Sequence, residues 1–406
     1  MELADLKFVE EATVWADRER AGTLRRTGVD VEFLYDPAYG GPPIATTLPV
    51  QPTAFAPGRP GAVPPFFAGL LPEGRRLTAL RRAIKTSADD DLSLLLAVGG
   101  DVVGHVRVLP PGSMPEEEPA SPLGPPGEVR FRDVFARVVG LDPDDRVGLP
   151  GVQDKVSGRM ISLPVAHRSA RWILKLDPPE FRHLVANEAF FLGAARQSGL
   201  PVPPHEVIHD MDGAPGLLVR RLDRDGDDRL AAEDGCQVNG RYPADKYRLT
   251  TEEVVRGLSG VCGAPVVAAR DLIAQLVFAF LICNGDAHAK NLSVVRTGGE
   301  WRVSPTYDVP SSHPYGDVTL AMSVGGKTRE DVGRADYIAL GESVGVRAKA
   351  GARVIDRIVD AADGWLPELE ALPFDGRRIH KLRKAIEYRR RRLRGTGARG
   401  TQSSVS

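Results

Sequence analysis

Cysteine is nearly missing from this chain of 406 residues. Its three cysteines, Cys236, Cys262 and Cys283, are too few and too scattered for a disulfide framework or a Cys-rich zinc site. Net charge is missing as well: 53 Lys and Arg against 54 Asp and Glu leave −1, so no global basic field marks a stand-alone nucleic-acid binder. Long apolar runs are absent too. The longest, Leu276 to Cys283, is far short of the ~20 residues that a membrane span needs. The opening, MELADLKFVEEATVW, has no basic stretch followed by an apolar one, so no signal peptide is expected. Lysine is scarce: only ten of the 53 basic residues are Lys, among them Lys155, Lys175, Lys246, Lys290 and Lys327. Where arginine so dominates, each remaining Lys is a candidate for work that only a compact ammonium does. What is present, 42% hydrophobic and 26% charged residues, is ordinary for soluble globular protein, and the length is a prior for two or three domains. The expectation is a soluble, cytoplasmic, multidomain chain with no membrane partner.

The first hundred residues read as a mixed α/β unit. Lys7–Trp15, Gly22–Arg26 and Asp30–Tyr35 carry strand-like residues around turn signals. Asp89–Ala97 reads as an apolar helix closed by Gly99-Gly100, and Val102–Leu109 as a further strand. Residues 110–128 are rich in Pro and Gly with almost nothing to bury, which predicts a linker or long surface loop. In the next region, 129–224, Arg171–Leu176 reads as a buried strand and Leu184–Ser198 as an amphipathic helix ended by Gly199. Glu206–Ile208 and Leu217–Arg221 flank Asp212-Gly213 as a hairpin. The region 225–394 turns mostly helical from Thr250, with Asp271–Cys283 as a buried helix and a last helix from about Arg377 to Arg394. Residues 395–406 read as a disordered tail.

The densest chemistry follows the buried helix, in Asn284-Gly285-Asp286-Ala287-His288-Ala289-Lys290-Asn291. Asp286 and Asn291 have the spacing of the Asp and Asn in the catalytic loop of kinases. There an Asp takes the proton of the attacking hydroxyl and an Asn holds Mg²⁺ through its amide oxygen. An Asp/Asn-rich turn capping a helix would carry the same residues. Downstream, after the strand Trp301–Val303, comes Pro305-Thr306-Tyr307-Asp308-Val309, and Asp308 is placed to give a second Mg²⁺ ligand. Upstream, Lys175 sits inside the apolar strand Ile173–Leu176, where it needs a partner; Glu188 on the next helix is the natural one. Gly148–Lys155 is a turn-forming stretch whose backbone N–H groups suit phosphate, although its glycines fit neither the Walker A nor the G-x-G-x-x-G pattern. His288 either contacts phosphate or orients the loop.

With these residues assembled, the chain resembles the HipA family of toxin kinases. Phe66-Phe67-Ala68-Gly69-Leu70-Leu71-Pro72-Glu73-Gly74 is similar to that family's N-terminal F-F-x-x-L-L-P-E-G motif, and Gly151-Val152-Gln153-Asp154-Lys155 to its G-x-Q-x-K loop. Asn187-Glu188, Leu218–Arg224, Glu233–Gln237, Lys246-Tyr247, Asn284–Asn291 and Tyr307–Val309 follow in the family's order. The resemblance implies an α+β, two-lobed, protein-kinase-like fold. An extra N-terminal α/β subdomain (1–109) would precede a nucleotide-binding N-lobe (129–224) and a mostly helical catalytic C-lobe (225–394). It also implies ATP- and Mg²⁺-dependent phosphorylation of Ser or Thr in a cellular protein, an aminoacyl-tRNA synthetase among the family's known targets, to arrest translation and growth. A small helix-turn-helix antitoxin would hold the toxin, and DNA would be met only through that partner. On this resemblance Asp286 is the base, Asn291 and Asp308 are the Mg²⁺ ligands, and Lys175, paired with Glu188, binds phosphate. Val219, Arg220, Arg221 and Leu222 form the hinge facing adenine through backbone groups, and Gly151–Lys155 is the phosphate loop. His288, Lys290 and Tyr307 complete the nucleotide site.

Two positions depart from the family pattern. The Ser that family members often carry three residues before the loop glycine, a site of inactivating autophosphorylation, is Gly148 here. Self-regulation there is expected to be absent or moved to a residue such as Ser157. The hinge commonly opens on an acidic residue, and here it is Arg220. Gly285-Asp286-Ala287-His288 with Asn291 is also similar to the loop of phosphoinositide kinases, so a small-molecule or lipid kinase is the alternative, and a pseudokinase that only binds its antitoxin a third reading.

Overall fold

The computed structural model describes residues 3–395 apart from 29, 60, 88–89, 117–121 and 140–159. Gly148 to Lys155, Ser157 and most of the C-terminal tail therefore lie outside the described residues. Strands β1 (Glu11–Ala16), β2 (Glu19–Thr27), β3 (Asp30–Tyr35) and β4 (Val106–Leu109) form an antiparallel sheet in the order β3-β2-β1-β4. The alternation Ala12, Val14 and Ala16 supplies its inner face, and Phe33, Phe67 and Leu92 fill the core between it and the short helices. These are α1 (Pro65–Gly69), α2 (Gly74–Ile84) and α3 (Asp91–Val98).

The sequence expectations need three adjustments here. Residues 3–8 form a 3₁₀ turn, so the first strand begins only at Glu11. The apolar helix starts at Asp91, because the Asp90 side chain caps the Ser93 N–H at 3.3 Å. The last strand is shorter than Val102–Leu109: Gly104 turns with φ +93°, and its N–H donates to Asp223 Oδ2 at 2.8 Å instead of pairing.

After α4 (Phe131–Val139), a second antiparallel sheet holds β5 (Ile161–His167), β6 (Ala170–Leu176), β7 (His205–His209) and β8 (Pro215–Arg220) in the order β5-β6-β8-β7. Helix α5 (Leu184–Gln197) runs between β6 and β7. The β7–β8 turn closes on Asp210, whose side chain accepts the N–H groups of Asp212 and Ala214. The stretch before this lobe does bury something: Leu123 packs under the sheet, and its N–H donates to Ala166 at 3.0 Å.

The helical lobe follows. It opens with the hairpin β9 (Arg224–Asp225) and β10 (Asp228–Arg229), then β11 (Ala232–Asp234), α6 (Gly235–Val238), α7 (Thr251–Val261) and α8 (Pro265–Leu281). Strands β12 (Ser293–Thr297) and β13 (Glu300–Val303) complete a three-stranded sheet with β11. Helices α9 (Arg334–Ser343), α10 (Ala348–Trp365) and α11 (Gly376–Arg394) close the lobe. Helix α8 is apolar nearly all round and runs through the largest core, among Phe191, Ile355, Trp365 and Leu382. The fold is α+β and two-lobed, with the extra N-terminal unit packed against both lobes. No helix among the described residues is long and apolar enough to cross a membrane.

Candidate active site

The end of α8 delivers the polar loop. Cys283 takes a left-handed φ of 59° and Asn284 then organises the turn, its Oδ1 accepting the Asp286 N–H at 2.9 Å. The Gly285 N–H donates to Ser312 Oγ at 2.8 Å, and a Cβ at Gly285 would lie 2.8 Å from both Ser312 Oγ and Asp317 Oδ2. Only glycine fits that close approach. Asp286 is 1% exposed, and its Oδ1 accepts the Tyr247 hydroxyl at 2.6 Å. His288 packs edge-on against the Tyr247 ring, and burial pushes its pKa down.

Lys175, Glu188, Asn291 and Asp308 come together as expected. Lys175 Nζ donates to Glu188 Oε1 at 2.6 Å and to Asp308 Oδ1 at 2.9 Å. Burial alone would lower the pKa of this lysine; the carboxylates of Asp308 and Glu188 outweigh it and keep the ammonium charged. Burial likewise disfavours the Asp308 carboxylate, but Lys175 holds it below the ordinary range. Asn291 Nδ2 donates to Asp308 Oδ2 at 2.8 Å. Asp308 has φ 57°, a conformation that persists only where the surroundings over-determine it, as Lys175 and Asn291 do. Asn187, beside Glu188, grips Ser311 twice: its Nδ2 donates to the Ser311 carbonyl and its Oδ1 accepts the Ser311 N–H, both at 2.9 Å. The helix bearing Glu188 and the segment bearing Asp308 are thereby tied together.

Burial holds the Glu188 carboxyl above its ordinary range in spite of Lys175, and Glu188 Oε2 is buried with no hydrogen bond among the described residues. No three His, Cys, Asp or Glu among the described residues converge as a protein-only metal site. Asn291 and Asp308 instead offer two hard oxygen donors, which fits Mg²⁺ sharing its remaining ligands with phosphate and water.

A cavity of about 320 Å³ opens from Lys175 toward the hinge. Pro164, Ile173, Val219, Leu222 and the ring of Tyr307 line it, and Leu70, Leu71, Val102 and Val103 of the N-terminal unit add a further wall. That size and apolar lining suit a planar base. Several expected nucleotide residues line this cavity and are also tied to the protein around it. The N–H groups of Arg220 and Arg221 are taken by Pro204 and Arg171, which leaves Leu222 as the hinge N–H with no hydrogen bond among the described residues. The Arg220 side chain is exposed, while Arg221 Nε and Nη2 clamp Asp223 and Nη1 reaches Asp101 at 2.8 Å. The Tyr307 hydroxyl donates to the Lys290 carbonyl at 2.9 Å. Lys290 Nζ already has Gly69 O at 3.0 Å, Asp234 at 3.2 Å and Glu73 at 3.3 Å as acceptors.

Sequence reasoning quoted Glu73, Lys246 and Tyr247 inside motifs but assigned them no task. Arg76, at the hinge side of the cavity, it did not mention. The scarcity of Lys did flag Lys246, whereas nothing local marks Glu73, which comes from the other end of the chain.

Residues 12–109 match the family model of the HipA N-terminal domain, and residues 147–366 that of the HipA-like C-terminal domain. The chain is 30% identical over 421 residues to the Sinorhizobium fredii protein named "Putative kinase Y4mE", covering 95% of this chain and 99% of that protein. It is 26% identical over 328 residues to the "Serine/threonine-protein kinase toxin HipA" of Shewanella oneidensis, covering 72% and 73%. Among solved structures, the HipA of the Shewanella oneidensis complex of HipA, HipB and operator DNA aligns with a TM-score of 0.76 at 20% identity, covering 94% of this chain and 97% of that one.

Proposed function

Since the chain belongs to the HipA family, whose curated relatives are named as kinases, we propose that it is an ATP- and Mg²⁺-dependent serine/threonine protein kinase and the toxin of a toxin–antitoxin pair. The observation that carries this reading is Lys175 held between Glu188 and Asp308, with Asn291 on the same carboxylate. In this reading Lys175 orients the nucleotide phosphates, and the apolar cavity with the Leu222 N–H receives adenine. Gly151–Lys155 cradles phosphate, by family resemblance. Mg²⁺ held by Asn291 and Asp308 supplies charge neutralisation to the phosphate oxygens. Asp286, fixed by the Tyr247 hydroxyl and its own N–H, takes the proton of the substrate hydroxyl.

The substrate is a host protein, with an aminoacyl-tRNA synthetase as the first to try, and its loss would arrest translation. The solved complex of a HipA with HipB and operator DNA supports an antitoxin partner, and in this reading DNA is met only through it. Transfer of labelled γ-phosphate into a host lysate tests the kinase reading. The wild type should label one protein band, and Asp286→Asn should be slower by ~10²–10⁴-fold. Labelled small molecules or lipids without a labelled protein would replace the protein-kinase reading with the small-molecule one.

A further inference from the structure

We propose, resting on the kinase reading above, that Lys246 is a catalytic residue whose ammonium donates to the oxygens of the phosphoryl group in transfer, and that Glu73 is its positioning residue. Three ammoniums surround the catalytic end of the cleft, and they differ in what they have left to give. Lys175 is held by Glu188 and Asp308. Lys290 has three N–H groups and three protein acceptors. Lys246 Nζ has one, Glu73 Oε2 at 2.5 Å, and no second acceptor among the described residues. It is not a surface lysine: its side chain is 14% exposed.

Its position is fixed from two sides. The Lys246 carbonyl accepts the Ala289 N–H at 3.2 Å, so the residue lies directly against the catalytic loop. Its Nζ sits 5.3 Å from the centre of the Tyr247 ring, whose hydroxyl rests on Asp286. The charge also reaches the reacting centre. Burial is the main cause of the lowered pKa of His288, and Lys246 adds to it; Lys246 likewise reinforces the hold that Lys175 has on Asp308.

Glu73 explains why so flexible a side chain stays there. It is the residue before α2, in the F-F-x-x-L-L-P-E-G stretch, and it meets both Lys246 and Lys290. Burial would raise its pKa, but the two lysines outweigh that and bring it down to about 2. The N-terminal unit thus supplies the anion that aims a cation of the helical lobe.

The step needs such a cation. The oxygen of the substrate hydroxyl forms a bond to the γ-phosphorus, and the bond from that phosphorus to the bridging oxygen breaks with its electron pair leaving on ADP. The hydroxyl proton goes to Asp286. Charge spreads over the three equatorial oxygens of the moving group, where a preorganised N–H donor counts most.

The test compares two variants of the full chain that cut the same ion pair, Lys246→Met and Glu73→Gln. Calorimetry with Mg-ADP and Mg-ATP reads contact with the γ-phosphate, and single-turnover transfer into lysate protein reads the rate. Lys246→Met should bind ADP within about twofold of wild type and ATP ~10-fold more weakly, and slow transfer by ~10²–10³-fold. Glu73→Gln keeps the ammonium and should lose only about tenfold in rate, with the ATP-to-ADP ratio unchanged. Equal losses in both variants, or an unchanged ATP-to-ADP ratio in Lys246→Met, would reduce the residue to a structural tie. Should Lys246→Met not give a cooperative thermal transition, Lys246→Gln takes its place with the same two outcomes. Failure of the kinase reading itself is distinct: wild type would then label no protein, while the nucleotide comparison still decides whether Lys246 meets the γ-phosphate.

Discussion

Two buried ionic clusters stand at opposite ends of one cleft, and they are built differently. At the hinge, every nitrogen of Arg221 has an acceptor, in Asp223, Asp101 or the Val102 carbonyl. Asp223 also accepts from Arg224 and from the Gly104 N–H, and Arg229 stands 3.6 Å from Asp101, so three guanidinium groups share two carboxylates. At the catalytic end, Lys175 lies between Glu188 and Asp308, one oxygen of Glu188 has no hydrogen bond among the described residues, and Asp308 sits in a left-handed backbone. A saturated cluster has nothing left to offer a ligand and serves as a strut between the N-terminal unit and the hinge. A cluster with a buried carboxylate oxygen left unpaired is set up for a cation and a phosphate to complete it.

Crossed substitutions are the sharpest way to break this contrast. Asp223→Asn leaves Arg221 and Arg224 sharing Asp101 and should cost ~3–5 kcal/mol in urea unfolding, while the folded fraction keeps its transfer rate. Asp308→Asn leaves Lys175 balanced by Glu188, so stability should change by less than about 1 kcal/mol while transfer drops ~10²–10³-fold. Similar stability losses in both would erase the distinction.

Glu233 is the intermediate case, a buried carboxyl with no ion pair among the described residues. It accepts the N–H and hydroxyl of Thr46 at 2.7 and 2.8 Å, and burial, with Asp234 adding, pushes its pKa up to about 7. The folded state thus holds this proton more tightly than the unfolded chain, whose value is 4.5. Stability is fully present below 4.5 and is lost as pH rises toward 7, by on the order of 3 kcal/mol. Glu233→Gln should therefore gain on wild type between pH 5 and pH 8; a difference that stays constant with pH refutes the argument.

Smaller effects mark the edges of the comparison. Asn187→Ala removes both bonds to Ser311 and should cost ~1–3 kcal/mol by thermal unfolding. Arg75→Ala cuts a half-exposed ion pair to Glu180 and should cost less than about 1 kcal/mol. A larger loss there would mean that surface ties, not buried ones, seat the N-terminal unit.

Much of this was legible in the chain itself. The all-round apolar pattern of α8 requires burial, and a polar octet directly after it has to emerge at the rim of a core, which is why Asp286 and Asn291 could be singled out. Lys175 inside an apolar strand demands a partner, and Glu188 met the demand. Where one side chain had two plausible fates, local sequence could not choose. The hinge was expected to meet adenine through backbone groups, and the partners of the Arg221 side chain, Asp101 and Val102, lie over a hundred residues away. Leu123 lies in a Pro- and Gly-rich stretch with no apolar periodicity, so its burial followed only from the sheet beside it.

The sequence by itself determined the chemistry-bearing pairs, because buried charge and motif spacing act over a few residues, while the two-lobed α+β class followed from the resemblance of its ordered motifs to the HipA family. Tertiary structure alone decided which cations are spent and which are available. Glu73 and Lys246 are separated by 173 positions, and an ion pair across that distance depends on how the N-terminal unit docks, which no local pattern encodes.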